Sequence, residues 1–282
     1  MKTPYTTQLS TAALSALAAL AITSQTSADT HTWTGATDGD WNDVGNWDIG
    51  IPATTGDDLI FSGTSNTITN NDLTGIRLNG IQFSNTTAGQ SFTLGGDDVI
   101  LDANSISTAA VVGGGTIEDT ISLRLRPTGG VRNIDLGANH NLTISGQIFG
   151  PQGISKQGDG TLTLSGANDY AGSSTVSAGT LRVESQTALG STGNATTVAD
   201  GATLELNYTP ANNSSPIEEN ITLNGAGVGG TEGALKITGT GPGAELGNNT
   251  ITLGSDATIN TLARFDTNST ITDNGNGYTL TK

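Results

Sequence analysis

The chain has 282 residues, of which 40 are glycine and none is cysteine, and its formal net charge at pH 7 is −16. Such an acidic chain repels the phosphates of nucleic acids and of anionic lipids, which argues against both as partners. With 34% hydrophobic and only 4% aromatic residues, the composition favours many thin, similar layers over one large globular core. Without cysteine there is no disulfide framework.

Residues 1–28 have the features of a secretory signal peptide. Lys2 precedes an apolar run from Ala12 to Ile22, and small residues lead up to Ala28. We predict cleavage after Ala28 and a mature protein that is secreted or held at the outer cell surface. The apolar run is too short for a membrane anchor and no later segment is long and apolar enough, so no membrane insertion is expected.

The next segment, residues 29–63, holds all three tryptophans of the chain, Trp33, Trp41 and Trp47. Large aromatic side chains are buried far more often than they bind ligands, so this segment is expected to cap the open N-terminal end of the fold. The alternative is a glycan-binding platform, on which exposed tryptophan faces stack against sugar rings.

Acidic residues in the same segment provide a second candidate site. Asp38, Asp40 and Asn42 place oxygen atoms at alternate positions, as a calcium-binding loop does. Asp43 stands where an EF-hand has its glycine, and Ile49 where it has its glutamate, so the EF-hand pattern fails. We expect Asx turns on the surface here and no cofactor, with calcium as the alternative.

From residue 64 to residue 150, short apolar triplets between Gly, Asn and Asp turns predict short β-strands. This region contains the basic cluster of the chain, which consists of Arg124, Arg126 and Arg132. Arg124 and Arg126 are two residues apart and share a strand face. We expect the cluster to offset the acidic surface.

A carbohydrate-cleaving enzyme needs carboxylates that converge on one face. Adjacent acidic residues occur at Asp57-Asp58, Asp97-Asp98, Glu118-Asp119 and Glu218-Glu219. Neighbours on a strand point to opposite faces, and these pairs lie in turn-like contexts, so none is expected to form a catalytic pair. His31, close to the predicted cleavage site, and His140, in a predicted turn, complete neither a metal site nor a hydrolytic triad. No catalytic residue is assigned.

The most regular part of the chain is GDGTLTLSGANDYAGSSTVSAGTL, from Gly158 to Leu181. Alternating apolar residues in two short strands around a Gly/Asn/Ser turn predict one turn of a β-coil. Residues 153–183 resemble the passenger-associated transport repeat, or autotransporter-associated β-strand repeat, with Asp169 where the repeat usually has Thr. The resemblance implies a right-handed parallel β-helix, and a passenger carried through the outer membrane by a C-terminal β-barrel.

Similar strand phrases recur in the second half of the chain. They begin at Thr161, Thr180, Thr203, Ile221, Leu235 and Ile251. Their intervals of 19, 23, 18, 14 and 16 residues suit a coil with two or three short strands per turn. The sequence therefore predicts an all-β fold, a right-handed single-stranded parallel β-helix (solenoid) over residues 64–282, with little helix. A β-sandwich ranks second, because its turns come at shorter spacing and its strands carry more aromatic residues.

The C-terminal sequence Leu280-Thr281-Lys282 falls where Ile154-Ser155-Lys156 introduces the repeat. We therefore expect an uncapped or truncated C-terminal end, whose strand edge associates with other copies. Strands of the length and patterning of a translocator barrel are not expected in the chain.

The predicted function is that of an exported, elongated β-helical passenger or surface structural and adhesion protein without its own translocator barrel, and not that of an enzyme. The expected partners are surface glycans or further copies at the C-terminal edge. Two alternatives stay open. One is a polysaccharide lyase or glycosidase on the same coil, and the other is a non-catalytic glycan-binding module that uses the tryptophan segment.

Overall fold

The computed structural model describes residues 28–52, 55–102, 105–208, 216–239 and 246–282. The predicted signal peptide lies outside the described residues, apart from its last residue. The described ranges contain 22 β-strands and two short 3₁₀ turns, and no α-helix. None of their helical turns is long and apolar enough to cross a membrane.

Most strands have three to five residues, so the chain turns after every few residues. The 3₁₀ turns are Val44–Asn46 and Val228–Gly230. The strands are β1 (Thr30–Trp33), β2 (Thr55–Phe61), β3 (Ile68–Asn71), β4 (Arg77–Phe83), β5 (Thr93–Gly96), β6 (Val99–Leu101), β7 (Ile106–Thr108), β8 (Ile117–Ile121), β9 (Leu125–Pro127), β10 (Arg132–Leu136), β11 (His140–Ile144), β12 (Ile154–Gln157), β13 (Thr161–Leu164), β14 (Ser174–Val176), β15 (Thr180–Val183), β16 (Ala195–Val198), β17 (Thr203–Leu206), β18 (Asn220–Gly225), β19 (Leu235–Ile237), β20 (Thr250–Thr261), β21 (Thr270–Thr272) and β22 (Leu280–Thr281).

These strands pair in parallel and form two long ladders. Ladder A contains β1, β2, β4, β7, β10, β12, β14, β16, β18, β20 and β21. Ladder B contains β3, β5, β8, β11, β13, β15, β17, β19 and the end of β20. Inside these ladders, each strand pairs with the strands one turn before and one turn after it, whereas the strands at the two ends have one partner. A shorter parallel ladder joins β6 to β4 and to β9. The fold is a β-solenoid of about nine turns, which confirms the predicted parallel β-helix over the antiparallel sandwich.

The strand phrases identified in the sequence belong to both ladders. Those at Thr161, Thr180 and Thr203 are in direct register in ladder B, as their spacing predicted. Those at Ile221 and Ile251 pair with each other in ladder A, 30 residues apart. The predicted intervals of 18, 14 and 16 residues therefore mix the two ladders and do not measure the length of a turn.

The interior consists of columns in which a residue of one turn lies on the corresponding residue of the next. Leu142, Leu162, Leu181, Leu204 and Leu235 form such a column in ladder B, and all five are fully buried. Each buried leucine side chain stabilises the fold by about 2 kcal/mol. In a chain without disulfides, these columns and the ladder hydrogen bonds hold the turns together.

Two glycines mark a corner where successive turns come close together. Gly158 has a φ angle of 68° and Gly179 one of 61°, both in the left-handed region. A Cβ atom on Gly158 would lie 2.2 Å from the carbonyl oxygen of Leu136, and one on Gly179 would lie 2.4 Å from that of Gly158. Glycine is required here by backbone conformation and by space, which explains its recurrence shortly before the Thr-Leu pairs.

Aromatic side chains fill the interior at the N-terminal end. Trp33 of β1 pairs with Phe61 of β2, and Phe61 pairs with Phe83 of β4. Trp47 joins Trp33 through an antiparallel bridge, and their rings meet edge to face with 5.0 Å between centroids. Residues 29–63 thus contain the first two strands of ladder A as well as the tryptophan-rich loop.

The last turn is more exposed than the turns before it. β20 has 12 residues and crosses from ladder A to ladder B. β21 and β22 pair with β20 on one side, and no strand within the described ranges pairs with their other side. Ile271, Tyr278 and Leu280 are 41%, 38% and 38% exposed. Apolar side chains and unpaired strand edges therefore occur together in this turn.

Candidate functional site

The three tryptophans predicted either to cap the coil or to bind glycans are buried, with relative exposures of 1% for Trp33, 0% for Trp41 and 4% for Trp47. Their polar groups are also satisfied. Trp47 Nε1 donates to the carbonyl oxygen of Trp41 at 2.9 Å, and Trp41 Nε1 donates to Thr69 Oγ1 at 3.0 Å. This packing favours the cap. Glycan binding by these residues stays a prediction, and it requires the segment to open.

The three calcium candidates lie around one open depression, which Asp43 and Asp72 also line. Asp38 Oδ1 accepts hydrogen bonds from the backbone N–H of Asp40 and from Asn46. Asp40 Oδ1 accepts a hydrogen bond from Asn70 Nδ2, and the N–H of Asn42 donates to Asp72.

These bonds match the predicted Asx turns at Asp38. Within the described ranges, no three His, Cys, Asp or Glu side chains are grouped so that they could hold a metal ion. Calcium binding by Asp38, Asp40 and Asn42 stays a prediction.

In three of the pairs of adjacent acidic residues, one side chain is buried inside the coil and the other faces outward. Asp57, Asp119 and Glu219 are buried, with exposures of 2%, 1% and 2%, whereas Glu118 and Glu218 are exposed. Strand alternation predicted this separation. The predicted turn-like context was wrong for two pairs, because Asp57 lies in β2 and Glu118-Asp119 lies in β8.

His140 is also placed differently from the prediction. It is the first residue of β11 rather than part of a turn, and it is fully buried. Its Nε2 lies 2.6 Å from Asp119 Oδ2, and its Nδ1 lies 2.8 Å from the carbonyl oxygen of Ala109. The other carboxylate oxygen of Asp119 accepts the backbone N–H of Phe92 at 2.7 Å.

His31 repeats this arrangement at the N-terminal end of the coil. Its Nε2 lies 3.0 Å from Asp57 Oδ2, and its Nδ1 lies 2.8 Å from the carbonyl oxygen of Gly50. Asp57 Oδ1 accepts the backbone N–H of Asp29 at 3.1 Å. Both nitrogens of each imidazole thus have oxygen neighbours inside the coil, and both rings are buried.

Two further ionisable side chains are buried in the interior. Lys156 of β12 is wholly enclosed, and its Nζ donates to the carbonyl oxygens of Gln157, Gly158 and Ala178. Removal from water lowers the pKa of Lys156 to about 8. Glu219 accepts a hydrogen bond from Thr196 at 2.8 Å, but burial raises its pKa to about 7.

The predicted basic cluster is split by the wall of the coil. Arg132 was expected to offset the acidic surface, and this expectation was wrong, because the residue is 4% exposed and donates to the carbonyl oxygens of Thr128 and Gly130. Arg124 and Arg126 are both exposed on one face, as their spacing predicted.

Arg124 and Arg126 line an open surface groove of about 580 Å³, which we call the arginine groove. Its other lining residues are Thr74, Gly75, Asp97, Asp98, Ile100 and Phe149. Arg124 forms an ion pair with Asp98 at 3.0 Å, and its guanidinium lies 4.4 Å from the ring centroid of Phe149. The sequence did not single out Phe149, because its neighbours in the groove come from strands one and two turns away.

Comparison with known proteins identifies the repeat. Residues 154–183 match the model of the passenger-associated transport repeat. The chain carries a passenger-associated transport repeat. The predicted resemblance is confirmed, and the matched residues begin with β12 and end with β15. The passenger-associated transport repeat therefore supplies two strands to each ladder and builds two successive turns, rather than the one turn that was predicted.

A longer similarity extends beyond the repeat. Over 117 residues, 41% of this chain, the sequence is 37% identical to the Adhesin BmaC autotransporter of Brucella suis biovar 1 (strain 1330). The match covers 3% of the length of that relative. No solved structure matches the chain.

Proposed function

We propose that the chain is part of an exported passenger, in which the β-solenoid forms an elongated structural and adhesive surface outside the cell. The observation that carries this proposal is the passenger-associated transport repeat, which is continuous with both ladders of the coil. The similarity to a Brucella autotransporter adhesin supports an adhesive role.

Export begins in this proposal with a signal peptide over residues 1–28 that is removed after Ala28. The tryptophan-rich segment then caps the coil, and the mature chain is secreted or held at the outer surface. The aromatic packing around Trp47 supports the cap, because an uncovered first turn would expose the rings of Trp33 and Phe61 to water.

The proposed role is not enzymatic. The buried carboxylates of Asp57, Asp119 and Glu219 each have partners in the interior, which supports a structural role for them. The proposed partners are surface glycans and further copies of the chain. The exposed apolar residues and strand edges of β21 and β22 support association at the C-terminal turn.

Surface display is tested in the producing bacterium with the full-length gene. A short epitope inserted in the exposed loop at Gly114 should be detected by antibody on intact cells, or in the medium, and external protease should remove it from the cells. A periplasmic protein with the same epitope should be detected only after permeabilisation. The proposal fails if the tagged chain, too, is detected only in permeabilised cells.

A further inference from the structure

Arg126 differs from the other arginines of the chain. Arg77, Arg124, Arg182 and Arg264 each form an ion pair with a carboxylate, and Arg132 donates to backbone carbonyl oxygens. Among the described residues, none forms an ion pair or a side-chain hydrogen bond with Arg126, although the chain has a net charge of −16. Its guanidinium is therefore free to bind an anionic group from outside.

The register of three turns places Arg126 between two apolar residues. Arg126 pairs with Ile100 on the preceding turn. On the following turn, the bridge between Leu125 and Ile148 brings Phe149 next to Arg126. Ile100 and Phe149 are partly exposed. A ligand that binds Arg126 therefore meets apolar surface on both sides of the charge.

A second column of side chains fixes one side of the arginine groove. Arg124 is bonded to Asp98 on the preceding turn and to Gln147 Oε1 on the following turn, at 3.2 and 3.1 Å. These bonds hold the guanidinium of Arg124 over the ring of Phe149. Asp98 is thus paired with Arg124, and Arg126 has no ion-pair partner among the described residues.

Asp97 supplies the complementary acceptor. It is exposed, and its Oδ2 accepts one hydrogen bond, from Thr74 Oγ1 at 3.1 Å. A carboxylate has room for about four hydrogen bonds, so Asp97 can accept more from ligand hydroxyl groups. The same charge repels a densely anionic ligand, which limits the ligand to a low density of negative charge.

We propose that the arginine groove binds a carboxylated sugar, such as a uronic acid unit of a surface polysaccharide. The carboxylate of the sugar pairs with Arg126, its hydroxyl groups donate to Asp97, and the apolar face of its ring lies on Phe149 and Ile100. The groove volume is within the range of small-molecule sites. The inference rests on the proposed adhesive function for its biological setting, but binding itself is a property of the purified chain.

An acidic peptide is the alternative ligand, and the structure disfavours it. An acidic peptide side chain offers a carboxylate to Arg126, but it lacks the several hydroxyl groups from which Asp97 can accept hydrogen bonds.

The test is titration of the purified, secreted chain with trigalacturonate, followed by calorimetry. The matched probe is the methyl ester of the same trisaccharide, in which each carboxylate is masked, and a third probe is triglutamate. We expect trigalacturonate to bind at least about tenfold more tightly than the ester, because the ester cannot form the charge-assisted bidentate pair with Arg126. We also expect it to bind more tightly than triglutamate, which has no hydroxyl groups for Asp97 and no sugar ring for Phe149.

Two variants and one control locate the site. Arg126→Gln should weaken trigalacturonate binding by about tenfold or more, and Phe149→Ala should also weaken it. Arg264→Gln removes a surface arginine outside the groove and should leave binding unchanged. Circular dichroism shows whether each variant remains folded.

Equal binding of acid and ester, a preference for triglutamate, unchanged binding by Arg126→Gln, or no binding at millimolar trigalacturonate would each overturn the sugar site. None of these results bears on whether the chain is displayed on cells, which the epitope experiment measures separately.

Discussion

The imidazole of His140 and the carboxylate of Asp119 lie 2.6 Å apart inside the coil, on neighbouring turns of ladder B. On the turns that follow, leucines occupy the position of Asp119, beginning with Leu142. In this column a carboxylate thus takes the place of a leucine side chain, and it is bonded to the imidazole of His140 from the neighbouring column. Such a pair is stable only as long as both partners are present.

Replacing one partner should therefore be more harmful than replacing both. His140→Leu leaves a carboxylate buried without its imidazole, and should lower the free energy of unfolding by about 3–5 kcal/mol. Asp119→Leu combined with His140→Leu should recover much of this loss, because leucine fits the column. Urea unfolding of the two single variants and the double variant measures the coupling. Additive effects would contradict the pairing.

The lowered pKa of Lys156 predicts that the free energy of unfolding rises at alkaline pH. Its pKa is about 8 in the folded chain, against an ordinary value of 10.5. Between these values the unfolded chain binds the proton that the folded chain has released, so stability increases with pH, by up to about 3 kcal/mol. Lys156→Met should abolish this rise in urea unfolding from pH 7.5 to 10.5. Lys236→Met, at a partly exposed ion pair with Glu232, is the control and should retain it.

The raised pKa of Glu219 predicts that the free energy of unfolding falls with increasing pH in the acidic range. Burial raises its pKa from 4.5 to about 7, so the folded chain keeps a proton that the unfolded chain has lost. Stability should therefore fall as the pH rises from 4.5 to 7, by up to about 3 kcal/mol. Glu219→Gln should remove this fall, and the exposed Glu218→Gln should not. If the two variants have the same pH profile, Glu219 is not the group responsible.

Neighbouring positions of β13 should differ in their tolerance of charge. Leu164 is fully buried, whereas Thr163 is partly exposed. Leu164→Asp should destabilise the chain by several kcal/mol, about the cost of burying an unpaired charge. Thr163→Asp should have a much smaller effect. Thermal unfolding compares the two variants, and equal losses would mean that the faces of the strand are wrongly assigned.

Strand alternation explains why much of the fold could be predicted from the sequence. Each Thr-Leu phrase contains both an outward-facing and an inward-facing residue, and the corner glycines lie a few residues before these phrases. The passenger-associated transport repeat is therefore recognisable from a short stretch of sequence, without knowledge of the rest of the chain. Pairing of turns of unequal length is not local. The partnership of Ile221 with Ile251 spans 30 residues with no fixed period, and local patterns could not reveal it.

The polar interior was missed for the same reason. A buried Asp119 or Lys156 is stable only because of groups contributed by other turns, such as His140 or the carbonyl oxygen of Ala178. The sequence did contain one sign that Asp119 is buried. Alternate residues of a strand share a face, and Asp119 lies midway between Ile117 and Ile121 in β8, so it shares their inward face. The arginine groove was missed because Arg126 and Phe149 become neighbours only through the register of the turns.

Successive turns of the passenger-associated transport repeat region stack in register, and engineered cysteines test this register most directly. The chain has no cysteine, so an added pair has no competing thiol. Thr143 and Thr163 are partners on adjacent turns, whereas Thr143 and Arg182 are two turns apart. Adjacent parallel strands lie about 4.8 Å apart, within the reach of a disulfide, whereas two turns span about twice that distance.

After mild oxidation, mass spectrometry of the alkylated protein counts the free thiols. We expect a disulfide in Thr143→Cys/Thr163→Cys and two free thiols in Thr143→Cys/Arg182→Cys. A disulfide only in the second variant, or in neither, would contradict the register on which the solenoid and the arginine groove depend.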